Sequence, residues 1–118
     1  MLARVHTASL LGPTARPITV EVDLARGLPT FHLVGLPDGA VRESRERVTA
    51  ALGNSGFALP VRRITVNLAP ADEPKRGSGF DLPIALAILE ADGSLAASRA
   101  AGPLAALGEL ALDGRVRP

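Results

Sequence analysis

Two stretches of strict apolar–polar alternation limit what this chain can become. Between Pro17 and Leu24, Ile18, Val20, Val22 and Leu24 fall on one side and Thr19, Glu21 and Asp23 on the other. From Arg62 to Ala69 the same period returns, with Ile64, Val66 and Leu68 opposed by Arg63, Thr65 and Asn67. A period of two marks a strand with one face buried and one in water. Such strands build a sheet that needs covering on one side only. Two helices supply the cover. Asp38 is a good N-cap for a helix running to about Asn54, with Val41, Val48 and Leu52 at helical spacing and Gly53-Asn54-Ser55-Gly56 as the stop. Arg42 with Glu46 and Glu43 with Arg47 stand four residues apart, which suits an exposed face. Asp81 caps a second helix and Pro83 lies in its first turn, where a missing N–H does no harm. Leu82, Ile84, Ala85, Leu86, Ile88 and Leu89 cover nearly all its sides, so this helix is central and buried, and Ala91-Asp92-Gly93 ends it.

The remaining segments fill in the order. Residues 2–10 form an earlier, weaker strand, Gly12-Pro13 marks a turn, Gly27-Leu28-Pro29 breaks the chain, and Thr30–Val34 is a short third strand. Pro70–Gly79 is a loop, and residues 94–103 are weakly patterned. Leu104–Leu112 reads as a strand, followed by the two-residue hairpin signal Asp113-Gly114 and a return strand that has barely begun at Pro118, as expected of a partial chain. Three strands, a helix, a strand, a helix and a hairpin make an α+β fold. The expected architecture is a two-layer sandwich, a mixed β-sheet with two helices on one face, in one domain spanning 1–118.

Composition excludes several function classes. With 47% apolar residues and only 3% aromatics, the core must be aliphatic and closely interlocked. A net charge of +1 gives no bulk field to draw in nucleic acid or an anionic membrane, so any nucleic-acid contact must come from a local patch. The absence of cysteine removes disulfides, thiolate metal sites and thiol nucleophiles, and fits a cytoplasmic location. The most apolar run, Leu82–Leu89, is far short of the ~20 residues a bilayer requires, and the N-terminus lacks signal-peptide architecture.

Chemistry-bearing constellations are sparse. A phosphate-cradling P-loop needs glycines before a Lys-Ser/Thr pair, but the only lysine, Lys75, stands between Pro74 and Arg76. His6 and His32 are the only histidines and have no ligand-like companions. The carboxylate pairs Glu21/Asp23 and Asp72/Glu73 read as solvated surface. No residue is therefore assigned to catalysis, cofactor binding or metal ligation. The candidate nucleic-acid contacts are Arg42 and Arg45 on the first helix, joined there by Arg47, then Arg62 and Arg63 at the start of the fourth strand, and Lys75 and Arg76 in the glycine-bearing loop. Glu43 and Glu46 dilute the helix cluster, and no aromatics are interleaved for base stacking.

Three windows carry a family resemblance: GLPTFHLVGLPDGAVRESRERV (27–48), RITVNLAPAD (63–72) and GSGFDLPIAL (77–86), together with the ending LGELALDGRVRP. They resemble the N-terminal domain of the ComM/YifB family, the magnesium chelatase-like AAA+ ATPases. The resemblance implies a fold similar to the second domain of ribosomal protein S-five and to the proteolytic domain of Lon. It implies an AAA+ module after residue 118, with ATP and Mg bound there and not in this fragment. It further implies a hexameric, DNA-branch-migrating motor of the cytoplasm, active in recombination and natural transformation, with this domain contributing assembly or DNA guidance. The expected partners are the chain's own AAA+ module, further copies in a homo-hexamer, and DNA; no membrane is expected. Two alternatives follow from the same resemblance. One is a Lon-type Ser-Lys peptidase-like domain, although the match puts Gly79 where the nucleophile would stand, with Ser78 one residue off. The other is a nucleic-acid-binding module of ribosomal-protein type, which the near-zero net charge opposes.

Overall fold

A computed structural model describes residues 1–11, 14–95 and 104–117. β1 (Leu2–Leu11) and β2 (Thr14–Ala25) form a long antiparallel hairpin, and β3 (Thr30–Val34) follows. The chain then runs through α1 (Gly39–Arg42), α2 (Ser44–Asn54), β4 (Arg63–Ala69) and α3 (Asp81–Ala91), and ends in a ribbon of β5 (Glu109–Leu110) and β6 (Val116–Arg117). The main sheet has the order β1-β2-β4-β3. β2 and β4 pair antiparallel, β3 and β4 parallel, so the sheet is mixed and the α1–α2 segment is the crossover between parallel neighbours. The expected turn at Gly12-Pro13 lies outside the described residues, as do positions 96–103.

The alternation read from the sequence sets the layers. Ala3 and Val5 of β1, Ile18, Val20, Val22 and Leu24 of β2, and Ile64, Val66 and Leu68 of β4 are buried on one side. They meet Val41, Val48, Ala51 and Leu52 from α1 and α2, and Ile84, Ala85, Ala87, Ile88 and Leu89 from α3, in a single cluster. α3 lies against β1 and β2 and is buried on nearly every side, as its composition requires. This is the expected α+β arrangement of a mixed sheet and covering helices.

Five local expectations change. The helix capped by Asp38 is interrupted at Glu43 and becomes α1 and α2; Asp38 does cap it, its Oδ1 accepting the Val41 N–H at 2.8 Å. Arg47 does not join Glu43 in an exposed pair but turns inward, and the outer ion pair is Arg45–Glu46 at 3.2 Å. Asp81 is not the cap of α3: Phe80 holds that position, and Asp81 is the first helical residue. The strand expected over 104–112 is divided. Residues 104–106 bridge in parallel to His6 of β1, and Gly108 then leaves the sheet so that its carbonyl accepts the Leu82 N–H (3.0 Å) at the start of α3. The final hairpin has three loop residues, closed by Ala111 N–H donating to the Arg115 carbonyl at 2.8 Å, with Gly114 at φ +96° as that loop length demands.

The turn from β3 into α1 depends on one glycine. Gly35 sits at φ +108°, and a Cβ there would lie 2.3 Å from the Leu68 carbonyl oxygen, on the neighbouring backbone of β4. Gly53, near the end of α2, has open space around its Cα and an ordinary helical backbone. Gly35→Ala is therefore expected to lose at least about 2 kcal/mol through strain and backbone displacement. Gly53→Ala should be neutral or gain up to about 1 kcal/mol from helix propensity. Urea midpoints of the two variants decide the matter, and equal effects at both positions would contradict this account.

Candidate functional site

The loop between β4 and α3 is strapped to the turn before α1. Lys75 N–H donates to the Leu36 carbonyl (3.0 Å) and Asp38 N–H to the Lys75 carbonyl (2.9 Å), a parallel bridge between Pro37 and Lys75. Asp38 Oδ2 also accepts the Gly77 N–H at 3.4 Å. The same residue thus caps a helix with one oxygen and steadies the loop with the other. Within the loop, the Lys75 side chain is sealed from solvent, and its Nζ donates to the Pro70 carbonyl. Burial pushes the Lys75 amine below its ordinary 10.5, with Glu73 and Asp72 opposing the shift.

Beside this strap lies a buried carboxylate. Asp81 is fully inaccessible. Its Oδ1 accepts from Ser44 Oγ (2.5 Å) and Arg47 Nη2 (3.0 Å), and its Oδ2 from Arg47 Nε (2.6 Å) and the backbone N–H of Leu110 (3.0 Å). Arg47 Nη2 also donates to the Ala40 carbonyl at 2.7 Å. The bidentate geometry suits a planar guanidinium, and the Asp81 carboxylate holds Arg47 protonated even more firmly than an ordinary arginine. The carboxylate thereby joins α2, the N-terminus of α3 and the final ribbon. All its strong acceptor directions are filled from within the fold, so the cluster positions structural elements and offers no free group to a substrate.

The sequence-flagged residues are dispersed. Arg42 and Arg45 share a groove of about 260 Å³ with Phe31, His32, Leu33 and Pro37. Arg62 borders a separate cleft of about 670 Å³ beside Met1, Arg26 and Asp92, and its neighbour Arg63 is exposed at the start of β4. Arg76 is exposed, but Lys75 is buried and so does not present its charge to an outside phosphate, a correction to its listing with the surface cations. Ser78 donates its hydroxyl to Glu109 Oε1, whose other oxygen lies 3.8 Å from Arg117. Ser78 and the chain's only lysine therefore bond to different partners and do not form a nucleophile–base pair. His6 stands 3.5 Å from Thr19 Oγ1, and among the described residues no group of three or more His, Asp and Glu side chains is placed to hold a metal. No helix among them is long and apolar enough to cross a membrane.

Sequence reasoning missed the Asp81 cluster, although a signal was present. Ser44 lies in phase with Val41 and Val48 on the buried stripe, with Arg47 one turn along. A polar residue in an apolar stripe calls for a buried partner.

Comparison with known proteins adds the following. Residues 20–118 match the family model described as "Subunit ChlI of Mg-chelatase". The chain is 51% identical to the uncharacterized protein YifB of Salmonella typhimurium and 50% identical to the uncharacterized protein YifB of Escherichia coli, each over 98% of its own length. It is 49% identical, over the same share, to the competence protein ComM of Haemophilus influenzae. In each case it spans 23% of the relative's length.

Two predictions follow from the geometry. Removing either partner of the buried pair, by Asp81→Ala or Arg47→Ala, strands the other and is expected to cost about 3–5 kcal/mol. The paired apolar replacement Asp81→Leu with Arg47→Met should cost less than the sum of the single changes Asp81→Leu and Arg47→Met by at least about 1 kcal/mol, read from urea midpoints; strict additivity would contradict the coupling. Lys75 generates the second. With its folded-state pKa below 10.5, the unfolded chain binds the extra proton between the two values, so stability rises with pH across that window. The sequence has no tyrosine, cysteine or second lysine to obscure the effect. The urea midpoint should climb as pH approaches 10.5, and the slope should vanish in Lys75→Met.

Proposed function

The chain belongs to the family described as subunit ChlI of Mg-chelatase, and on that premise we propose that it is a non-catalytic accessory domain of a ComM-like AAA+ motor. The observation that carries this reading is the internal commitment of its chemistry-bearing side chains. Asp81, Ser44 and Arg47 bind one another, Lys75 is sealed onto a carbonyl, and Ser78 is held by Glu109. Such a domain contributes shape and surface, while ATP binding with Mg and ATP hydrolysis belong to the remainder of the parent protein. The likeness to the competence protein ComM supports a role in recombination and natural transformation. In this reading the domain is the N-terminal part of a cytoplasmic motor that assembles as a homo-hexamer on DNA. It guides DNA or fixes subunit assembly.

The test compares residues 1–118, the full parent, and the parent lacking these residues, in ATP hydrolysis and in branch migration of a synthetic four-way DNA junction. The isolated chain should turn over no ATP. The truncated parent should keep ATP turnover within a few-fold but lose most junction processing. ATP hydrolysis by 1–118, or junction processing undiminished by its removal, refutes the assignment.

A further inference from the structure

β3 leaves one backbone edge of the main sheet open. Among the described residues its neighbour is β4, in a parallel register from Thr30↔Arg63 to Val34↔Asn67. Thr30 N–H donates to the Arg62 carbonyl at 3.3 Å. By the two-residue alternation, Thr30, His32 and Val34 direct their amides and carbonyls at β4, while Phe31 and Leu33 direct theirs outward. An exposed edge is ordinarily blunted by proline, an inward charge or a covering loop. The sequence Thr30-Phe31-His32-Leu33-Val34 has no proline and no lysine, arginine or carboxylate.

The side chains beside this edge form two hollows that share Phe31. One, of about 170 Å³, is mainly apolar, bordered by Pro29, Leu59, Pro60 and Ile64. Leu28 and Val61, close by in sequence, are 83% and 77% exposed, an unusual display of apolar surface at one end of a strand. The other hollow is the groove where β3 faces Arg42 and Arg45. Arg45 lends one nitrogen to Glu46 on the surface, and Arg42 has no acidic partner among the described residues. The nearby carboxylate of Asp38 is already occupied by Val41 and Gly77 amides. The edge therefore combines unpaired main chain, an apolar seat and a cationic seat.

We propose that β3 accepts an added strand from another polypeptide, an extended segment carrying an apolar side chain and, two residues along, an acidic one. Residues two apart in a strand point to the same face, roughly 7 Å from one another, which matches the step from Phe31 to Leu33. The added backbone satisfies the outward groups of Phe31 and Leu33, the apolar side chain enters the hollow at Pro29 and Leu59, and the carboxylate meets Arg42 and Arg45. A peptide suits this edge better than a nucleic acid. A phosphate chain would leave the backbone groups unpaired, and two arginines on a chain of net charge +1 make a weak seat for a polyanion.

The probe is the blocked pentapeptide Ac-Thr-Leu-Thr-Glu-Thr-NH2, titrated into the isotopically labelled chain and followed by amide shifts and hydrogen exchange. Shifts should concentrate at residues 28–34, 42 and 45, and the Phe31 and Leu33 amides should gain protection. Two N-methylated peptides, blocked in alternate frames, should differ, one binding normally and one not. Arg42→Ala with Arg45→Ala should weaken binding at least tenfold, as should Glu to Gln in the peptide. Equal binding by both N-methylated frames, unprotected Phe31 and Leu33 amides, or no binding at millimolar peptide would overturn the proposal. So would an oligothymidylate that binds these arginines more tightly than the peptide does.

Discussion

A single buried carboxylate sets the relative positions of the covering elements. Desolvating an ionised aspartate costs several kcal/mol, and only a full set of well-placed donors offsets that cost. Asp81 obtains them from Ser44 and Arg47 of α2 and from the Leu110 amide of the terminal ribbon. Aliphatic packing alone tolerates small slides between helices, because its attraction is non-directional. Charge-assisted hydrogen bonds, at about 1.5–3 kcal/mol each and with strict geometry, do not. In a chain with 3% aromatic residues, where Phe80 is the one aromatic among the described buried core residues, this directional cluster specifies how α2 meets α3.

The strap formed by Leu36, Asp38 and Lys75 works beside it by other means. Its bonds are backbone to backbone, and it depends on a glycine with no room for a side chain. Together the two devices fix the loop that leads into α3 and the turn that leads into α1. Pro37 of that turn lines the groove beside β3, so the strap holds one wall of the groove next to the open edge. The family membership and the close likeness to YifB and ComM place this organisation in a region that forms 23% of those longer proteins.

Much of the architecture was legible because periodicity is a local property. Ile18 to Leu24 and Ile64 to Leu68 alternate along the chain and are buried as they alternate, and the apolar belt of α3 required a central position. The misreadings concern residues whose partners are distant in sequence. Asp81 looked like a cap because aspartate before an apolar run often is one, yet the donors that claim it lie 29 to 37 positions away. Arg47 looked like half of a surface pair because Glu43 is four residues off, a near partner that lost to a buried one. Lys75 was grouped with surface cations because it is charged and sits beside Arg76 in a glycine-bearing loop, and the strand expected over 104–112 was divided by the bonding needs of α3's first turn. The open edge of β3 depends on sheet order, which no local pattern reports.

The enclosure of Lys75 has an experimental consequence. Reagents that acylate amines are kept from Lys75, whose amine faces inward and is sealed from solvent. Acylation of Lys75 requires the loop carrying it to lift from the Leu36–Asp38 turn. Within residues 1–118 the rate at which this one lysine is acylated thus serves as a covalent clock for how often the segment opens, with no engineered label and no perturbing substitution.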